Sequence, residues 1–146
     1  MSIILYELAG KDEFRFSPFS WRSKMALHHK GLEFECQTVK FSDRSPIAQS
    51  GQERVPVLAN GDVWISDSWA IAEYLDATWP DLPALFDSNE ARSHARFISN
   101  WTDIVVNGGI FGLIARDILD HVDPDDVEFF SQHARSPSWQ NTGRGS

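Results

Sequence analysis

The chain of 146 residues lacks the sequence features of disulfide-rich, nucleic-acid-binding and metal-binding proteins. A single cysteine, Cys36, excludes an internal disulfide framework and a cysteine-based zinc site. The 13 basic residues are outnumbered by 21 acidic ones, and the net charge of −8 argues against a nucleic-acid partner, because phosphate binding needs clustered cations. His28 and His29 are adjacent and point away from each other on a helix, so they do not predict a metal site.

Long hydrophobic runs are also missing. The N-terminus has no basic start and only a short apolar run, so it is not typical of a secretory signal. The most apolar segment, residues 104–119, contains Asn107, Arg116 and Asp117. We interpret this segment as too short to cross a bilayer, which takes about 20 apolar residues. We therefore expect a cytoplasmic protein without a membrane partner.

The first part of the chain predicts a strand, a helix and a second strand. Residues 3–8 are apolar and rich in β-formers. Ser17 and Pro18 are typical of a helix start, and Gly31 is typical of a helix end. Residues 34–41 then alternate between apolar and polar side chains. A β-α-β order predicts parallel pairing of the two strands.

A polar stretch, residues 42–53, predicts a loop with at most a weak helical turn. Two β-forming runs then flank an Asn-Gly turn, which is a strong hairpin signal. We place Pro56 at the first residue of its strand, because proline donates no ladder hydrogen bond. Asp67 and Ser68 predict the start of a further helix that ends before Pro80.

The later part of the chain is predicted to be helical. We expect a first domain over residues 1–80, a linker over residues 81–89 and a helical region over residues 90–130. A glycine pair near the middle of that region predicts a break between two helices. Residues 131–146 are rich in Ser, Pro, Asn, Gly and Arg, which predicts an irregular tail.

Three short motifs come to one edge of the predicted sheet. They are Ser-Pro-Phe-Ser at residues 17–20, Arg-Val-Pro-Val at residues 54–57 and Asp-Ser at residues 67–68. In this topology each motif lies where a loop meets a strand or a helix on the same rim. Open α/β sheets bind their ligands at such a rim.

The order and spacing of these motifs resemble the glutathione transferase family over residues 3–86. The pattern is most similar to serine-type members, in particular zeta-class enzymes and bacterial β-etherases. The resemblance implies an α/β fold with a thioredoxin-like N-terminal domain, β-α-β-α-β-β-α, followed by an all-α C-terminal domain. That helical domain is shorter here than in the family, so we expect a truncated or frame-shifted chain.

Ser17 is the predicted catalytic residue. A hydroxyl donor at a helix N-terminus favours the thiolate form of a thiol, which reference values leave mostly protonated at pH 7. The alternative is that Ser17 only caps the helix. Serine also stands at residue 20, so both positions of a dithiol redox motif lack sulfur and thiol–disulfide catalysis is excluded.

The resemblance also implies how glutathione is bound. The Val55–Pro56 peptide bond is expected to be cis, so that Val55 pairs with the cysteinyl backbone of glutathione. Asp67 and Ser68 are expected to hold the γ-glutamyl group, although plain helix capping explains one of them. Three cations remain candidates for the glycyl carboxylate: Lys40, Arg44 and Arg54.

The predicted function is a glutathione transferase-like one. Glutathione is the expected cosubstrate, a small electrophile such as an aromatic or aryl-ether compound is the expected partner, and no metal is expected. The resemblance implies a homodimer for full-length family members. The alternative is a glutathione-binding or protein-interaction module that does not turn over, because the helical domain is truncated.

Overall fold

Four strands form one mixed sheet in the computed structural model, which describes residues 2–133. The strands are β1 Ile3–Leu8, β2 Phe34–Val39, β3 Val57–Asn60 and β4 Val63–Ser66. They lie in the order β2-β1-β3-β4, with β1 parallel to β2 and antiparallel to β3, and with β3 antiparallel to β4. This sheet is the predicted thioredoxin-like one.

Two helices complete the first unit of the chain, Met1–Leu85. They are α1 Pro18–Lys30 and α2 Ser68–Thr78. α1 ends at Gly31, which adopts a left-handed conformation with φ 70° that glycine takes without steric cost. α2 begins after Asp67, whose side chain caps its first turn.

The second helix of the predicted β-α-β-α-β-β-α order is a 3₁₀ helix of six residues, Ser45–Ser50. Its sequence has two serines and a proline, which are poor helix formers, and such helices stay short. The Ser50 hydroxyl donates to the Ile47 carbonyl at 2.6 Å and closes the last turn. Two strand ends also differ from the prediction, since β2 ends at Val39 and β3 begins one residue after Pro56.

The sheet buries side chains on both faces. On one face, strand and helix residues form the main core between the sheet, α1 and α2. On the other face, a smaller cluster packs under the 3₁₀ helix that contains Ile47. The main core consists of Ile3, Leu5, Ala26, Leu27, Leu58, Ile71 and Leu75, and the smaller cluster of Tyr6, Val39, Ile47, Val57 and Ala59.

The second unit begins at Phe86 and is helical. Its helices are α3 Asn89–Trp101, α4 Gly108–Leu119 and α5 Val127–His133, with a π-helical turn, Thr102–Asn107, between the first two. The predicted break at the glycine pair is wrong. Gly108 has a helical φ of −62° and the helix continues through it, because propensity is a weak signal that an apolar context overrides.

The predicted tail begins later than residue 131. Ser131 and Gln132 belong to α5, where the Ser131 hydroxyl donates to the Val127 carbonyl at 2.8 Å and the Gln132 amide to Glu128 at 3.1 Å. These bonds follow the i, i+4 spacing of a helix. The rest of the predicted tail, residues 134–146, lies outside the described residues.

One helix of the described residues is long enough to cross a membrane. It runs over Asn89–Leu119 for 31 residues, and its most apolar window has a mean hydropathy of 1.2. This helix contains the apolar segment 104–119, because α3, the π-helical turn and α4 are continuous. A core helix of a water-soluble protein passes the same test of length and composition.

Candidate functional site

The strand register brings the three predicted motifs to one edge of the sheet. Tyr6 of β1 pairs with Val57 of β3, which pairs with Ser66 of β4. The end of β1, the start of β3 and the end of β4 therefore meet at the same edge. The backbone N–H of Asp67 donates to the Pro56 carbonyl at 3.3 Å, which ties the second and third motifs together.

Ser17 lies directly at the N-terminus of α1. It has an extended backbone, and its side-chain oxygen accepts from the Ser20 N–H at 3.3 Å. Its carbonyl accepts from the Trp21 N–H at 3.1 Å. Ser17 is partly exposed, whereas Ser20 is buried. The hydroxyl thus caps the helix as an acceptor and keeps its own proton for a ligand.

The Val55–Pro56 peptide bond is cis, as the resemblance implies. Pro56 is buried and Val55 is partly buried, so this segment lies against the sheet edge. Val55 also packs against the cluster that contains Val57 and Ile47. The main chain before β3 is therefore held by the core on one side.

Asp67 and Ser68 form the start of α2. Asp67 has φ 78°, a left-handed value that is uncommon outside glycine. Its Oδ1 accepts from the N–H groups of Trp69 at 2.9 Å and Ala70 at 3.1 Å. Asp67 is exposed and Ser68 is buried, with 7% exposure. The carboxylate and the helix N-terminus together form a polar corner of the site.

The three candidate cations differ in position. Arg54 is exposed, and Lys40 is partly buried at the end of β2. The Arg44 guanidinium lies 5.7 Å from the centre of the Phe41 ring, and that ring lies 6.3 Å from the ring of Phe16, the residue before Ser17. Two successive ring contacts therefore link Arg44 to Phe16.

A buried carboxylate that was not predicted from the sequence lies near the site. Glu7 of β1 is 1% exposed and lies between the cations Arg15, at 3.0 Å, and Lys24, at 2.8 Å. Burial lowers the pKa of Arg15, but its bonds to Glu13 and Glu7 outweigh burial and raise that pKa above its ordinary value.. The strand pattern does contain a signal for this burial. Side chains at every second residue of a strand lie on the same face, so Glu7 lies on the face of Ile3 and Leu5, which are both core residues.

The lone cysteine lies near this carboxylate. Burial raises the pKa of the Cys36 thiol, and the charge of Glu7 raises it further. The raised pKa keeps the thiol of Cys36, which is partly accessible to solvent, in its protonated form at neutral pH. The two adjacent histidines, which were not predicted to form a metal site, have structural contacts. The His28 ring lies 5.1 Å from the ring of Phe34, and His29 is hydrogen-bonded to the Ala84 carbonyl at 2.9 Å. Within residues 2–133 no group of three metal-ligating side chains is close enough to hold a metal ion.

Residues 16–78, which contain all three motifs, match the family model described as "Glutathione S-transferase, N-terminal domain". This segment is therefore similar to that domain family. The match covers the helix start at Ser17, the cis peptide and the start of α2, so the resemblance to glutathione transferases is confirmed at the level of the domain.

Comparison with individual proteins gives the same result. The chain is 32% identical over 99 residues to glutathione S-transferase U28 of Arabidopsis thaliana, covering 65% of this chain and 44% of that protein. The crystal structure of a glutathione transferase homologue from Burkholderia with bound glutathione is 34% identical, with a TM-score of 0.57, and the match covers 82% of this chain and 64% of that one. A glutathione transferase of Phanerochaete chrysosporium, 23% identical, has the same fold with a TM-score of 0.78 over 99% of this chain and 62% of its own. The chain spans less than half of the Arabidopsis relative.

Proposed function

We propose that this chain is a glutathione transferase-like protein that binds glutathione at the sheet edge and stabilises its thiolate. The observation that supports the proposal is the position of Ser17, partly exposed at the N-terminus of α1 on the same edge as Val55 and Asp67. The similar Burkholderia protein has glutathione bound in its crystal structure. A serine-type site of the zeta or β-etherase kind, a cytoplasmic location and a homodimer remain predictions.

Chemistry at Ser17 follows from its hydrogen bonding. A cysteine thiol has a pKa of about 8.5, so free glutathione is mostly protonated at pH 7. The Ser17 hydroxyl, which already accepts from the Ser20 N–H, donates a hydrogen bond to the thiolate sulfur, and the positive end of α1 favours the negative charge. The thiol proton goes to solvent. The sulfur then forms a bond to an electrophilic carbon, and the leaving group departs with the electron pair.

The other residues of the edge provide the expected binding groups. Val55 has a main-chain N–H and C=O that pair with the cysteinyl backbone in the manner of an added strand. Asp67 pairs with the γ-glutamyl ammonium through its carboxylate. The N-terminus of α2 at Ser68 attracts the γ-glutamyl carboxylate, since anions are stabilised there. Arg54 and Pro56 complete the segment that carries Val55.

An apolar groove beside Ser17 favours the binding of an apolar electrophile. The groove runs along α1 and has mostly apolar walls, and Met25 and Trp21 within it are 61% and 45% exposed. An aromatic or aryl-ether compound fits such walls, because aromatic rings bury large apolar areas. The lining residues are Arg15, Phe16, Pro18, Trp21, Arg22, Met25, Ala26, His29 and Leu85.

Binding and turnover are tested separately. We expect the melting temperature of the chain to rise with the logarithm of the glutathione concentration above Kd, because ligand that binds only the folded state stabilises it. We then expect conjugation of chlorodinitrobenzene above the uncatalysed rate. A shift without turnover would favour the glutathione-binding module, and no shift with glutathione would contradict the proposal altogether. The same chain carrying Asp67→Ala, which loses the γ-glutamyl partner, is the control for specific binding.

We further assign the glycyl carboxylate of glutathione to Arg44, because of its ring contacts toward Ser17. The Arg44→Gln variant is expected to weaken glutathione binding by about tenfold, in line with the loss of one charge-assisted hydrogen bond. Lys40→Gln is the matched control and should bind nearly as the wild type does. Calorimetric titration with glutathione and with its glycine amide measures the effect.

Binding of the glycine amide of glutathione distinguishes between the candidate cations. It lacks the glycyl charge, so wild type and Arg44→Gln should bind it equally. If Arg54→Gln, and not Arg44→Gln, loses the discrimination between glutathione and the amide, the assignment to Arg44 is wrong.

A further inference from the structure

A closed ring of contacts links four residues, one of which is Arg15, two residues before Ser17. Its members are Glu7 of β1, Arg15 of the loop, and Trp21 and Lys24 of α1. Arg15 Nε bonds to Glu7 Oε1 at 3.0 Å, and Lys24 Nζ lies 2.8 Å from Glu7 Oε2. Lys24 Nζ also lies 4.7 Å from the centre of the Trp21 ring. The Trp21 indole N–H closes the ring by donating to the Arg15 carbonyl at 2.9 Å.

Trp21 contacts the main chain at two points, two residues before Ser17 and at Ser17 itself. Trp21 accounts for two of the bonds, since its indole N–H binds the carbonyl of Arg15 and its backbone N–H binds the carbonyl of Ser17. One residue of α1 therefore fixes the carbonyl two residues before the hydroxyl and the carbonyl of the hydroxyl-bearing residue itself.

Arg15 connects these anchors to the rest of the fold. Its side chain is 17% exposed and bonds Glu7, which is itself 2% exposed, so the loop is tied to the central strand of the sheet. Its other guanidinium nitrogens bond the Glu13 carbonyl and the Glu13 carboxylate, the latter at 2.7 Å. A planar guanidinium makes such forked contacts, whereas a lysine ammonium is a point charge.

Resting on the proposed function of Ser17, we propose that Arg15, together with the Trp21 indole, is a positioning residue that aims the Ser17 hydroxyl at the glutathione sulfur. Neither residue needs to touch glutathione for this role. Displacing a catalytic group by about 1 Å costs on the order of a hundredfold in rate. We expect the loss of one anchor to allow part of that displacement.

The test measures the thiolate fraction of bound glutathione by its ultraviolet absorbance across a pH series, in wild type and in three variants. Trp21→Phe keeps an aromatic ring for Lys24 and removes only the indole N–H. Arg15→Met removes the guanidinium but leaves Lys24 to pair with Glu7. Arg15→Lys keeps the positive charge and removes the fork. All three are expected to show about a tenfold smaller thiolate fraction at pH below the bound thiol pKa, with glutathione affinity within about twofold of wild type.

The three variants distinguish displacement of the Ser17 hydroxyl from loss of the Arg15 charge and from loss of stability. Trp21 is 45% exposed, so Trp21→Phe should keep the wild-type melting temperature. If Arg15→Lys forms as much thiolate as wild type while Arg15→Met does not, charge and not position is responsible, and the proposal is overturned. A wild-type thiolate fraction in Trp21→Phe overturns it as well. If wild type itself forms no thiolate, the proposed function of Ser17 fails, and the positioning role fails with it.

Discussion

Replacing Ser17 with alanine is expected to abolish most thiolate formation by bound glutathione and to lower kcat/KM with an electrophile by about a hundredfold. The size follows from the loss of one hydrogen-bond donor to a developing or stored negative charge, which costs on the order of 10² to 10³ in rate. Ser17→Ala also removes the acceptor for the Ser20 N–H, an N-cap bond. The free energy of unfolding should therefore fall by about 1 kcal/mol.

Two further variants separate the two roles of Ser17. Ser17→Gly lacks the hydroxyl but is a tolerable N-cap, so it should lose thiolate formation as fully as Ser17→Ala with a smaller loss of stability. Ser17→Thr keeps the hydroxyl and should retain most of both. The measurements are the thiolate absorbance of the glutathione complex and urea unfolding. If Ser17→Ala and Ser17→Gly form thiolate normally, Ser17 is only a helix cap.

The parts of the site that were predictable from sequence have local causes. A serine before proline starts α1, a glycine with φ 70° ends it, and an aspartate caps α2, each through contacts within four residues. The strands were predictable for a similar reason, because apolar alternation and the Asn60-Gly61 turn are short-range signals. Once the strands are paired, the register alone places the three motifs on one edge.

The parts that were missed depend on contacts between distant segments. Arg44 lies against the ring of Phe41, which contacts Phe16, and these two aromatic residues are far apart in sequence, so no local pattern indicates the link. Glu7 is buried only because Arg15 and Lys24 compensate its charge across the strand, the loop and α1. The wrong break at Gly108 has the opposite origin, since a local propensity was weighed above the apolar context of the helix.

Lys30 gives the largest expected effect on stability. Its side chain is 1% exposed at the end of α1, and its Nζ donates to Asp76 Oδ1 of α2 and to the Trp79 carbonyl, each at 2.9 Å. The Asp76 carboxylate also accepts from the Leu85 N–H at 2.9 Å. The Lys30 ammonium therefore links α1 to α2 and to the residue that follows α2. Lys30→Met is expected to lower the free energy of unfolding by about 3 kcal/mol, because it leaves a largely buried carboxylate without its cation.

The second substitution in this test identifies the cause. Asp76→Asn in the Lys30→Met background removes the uncompensated charge, while the amide oxygen still accepts from the Leu85 N–H. The double variant should therefore be more stable than Lys30→Met alone, with a positive coupling energy in the double-mutant cycle. Lys11→Met is the matched control at an exposed lysine and should change the free energy of unfolding by less than about 0.5 kcal/mol. Urea unfolding of the wild type, Lys30→Met, Asp76→Asn, the double variant and Lys11→Met measures these differences. A double variant no more stable than Lys30→Met would mean that lost packing of the lysine stem, and not the stranded charge of Asp76, destabilises the fold.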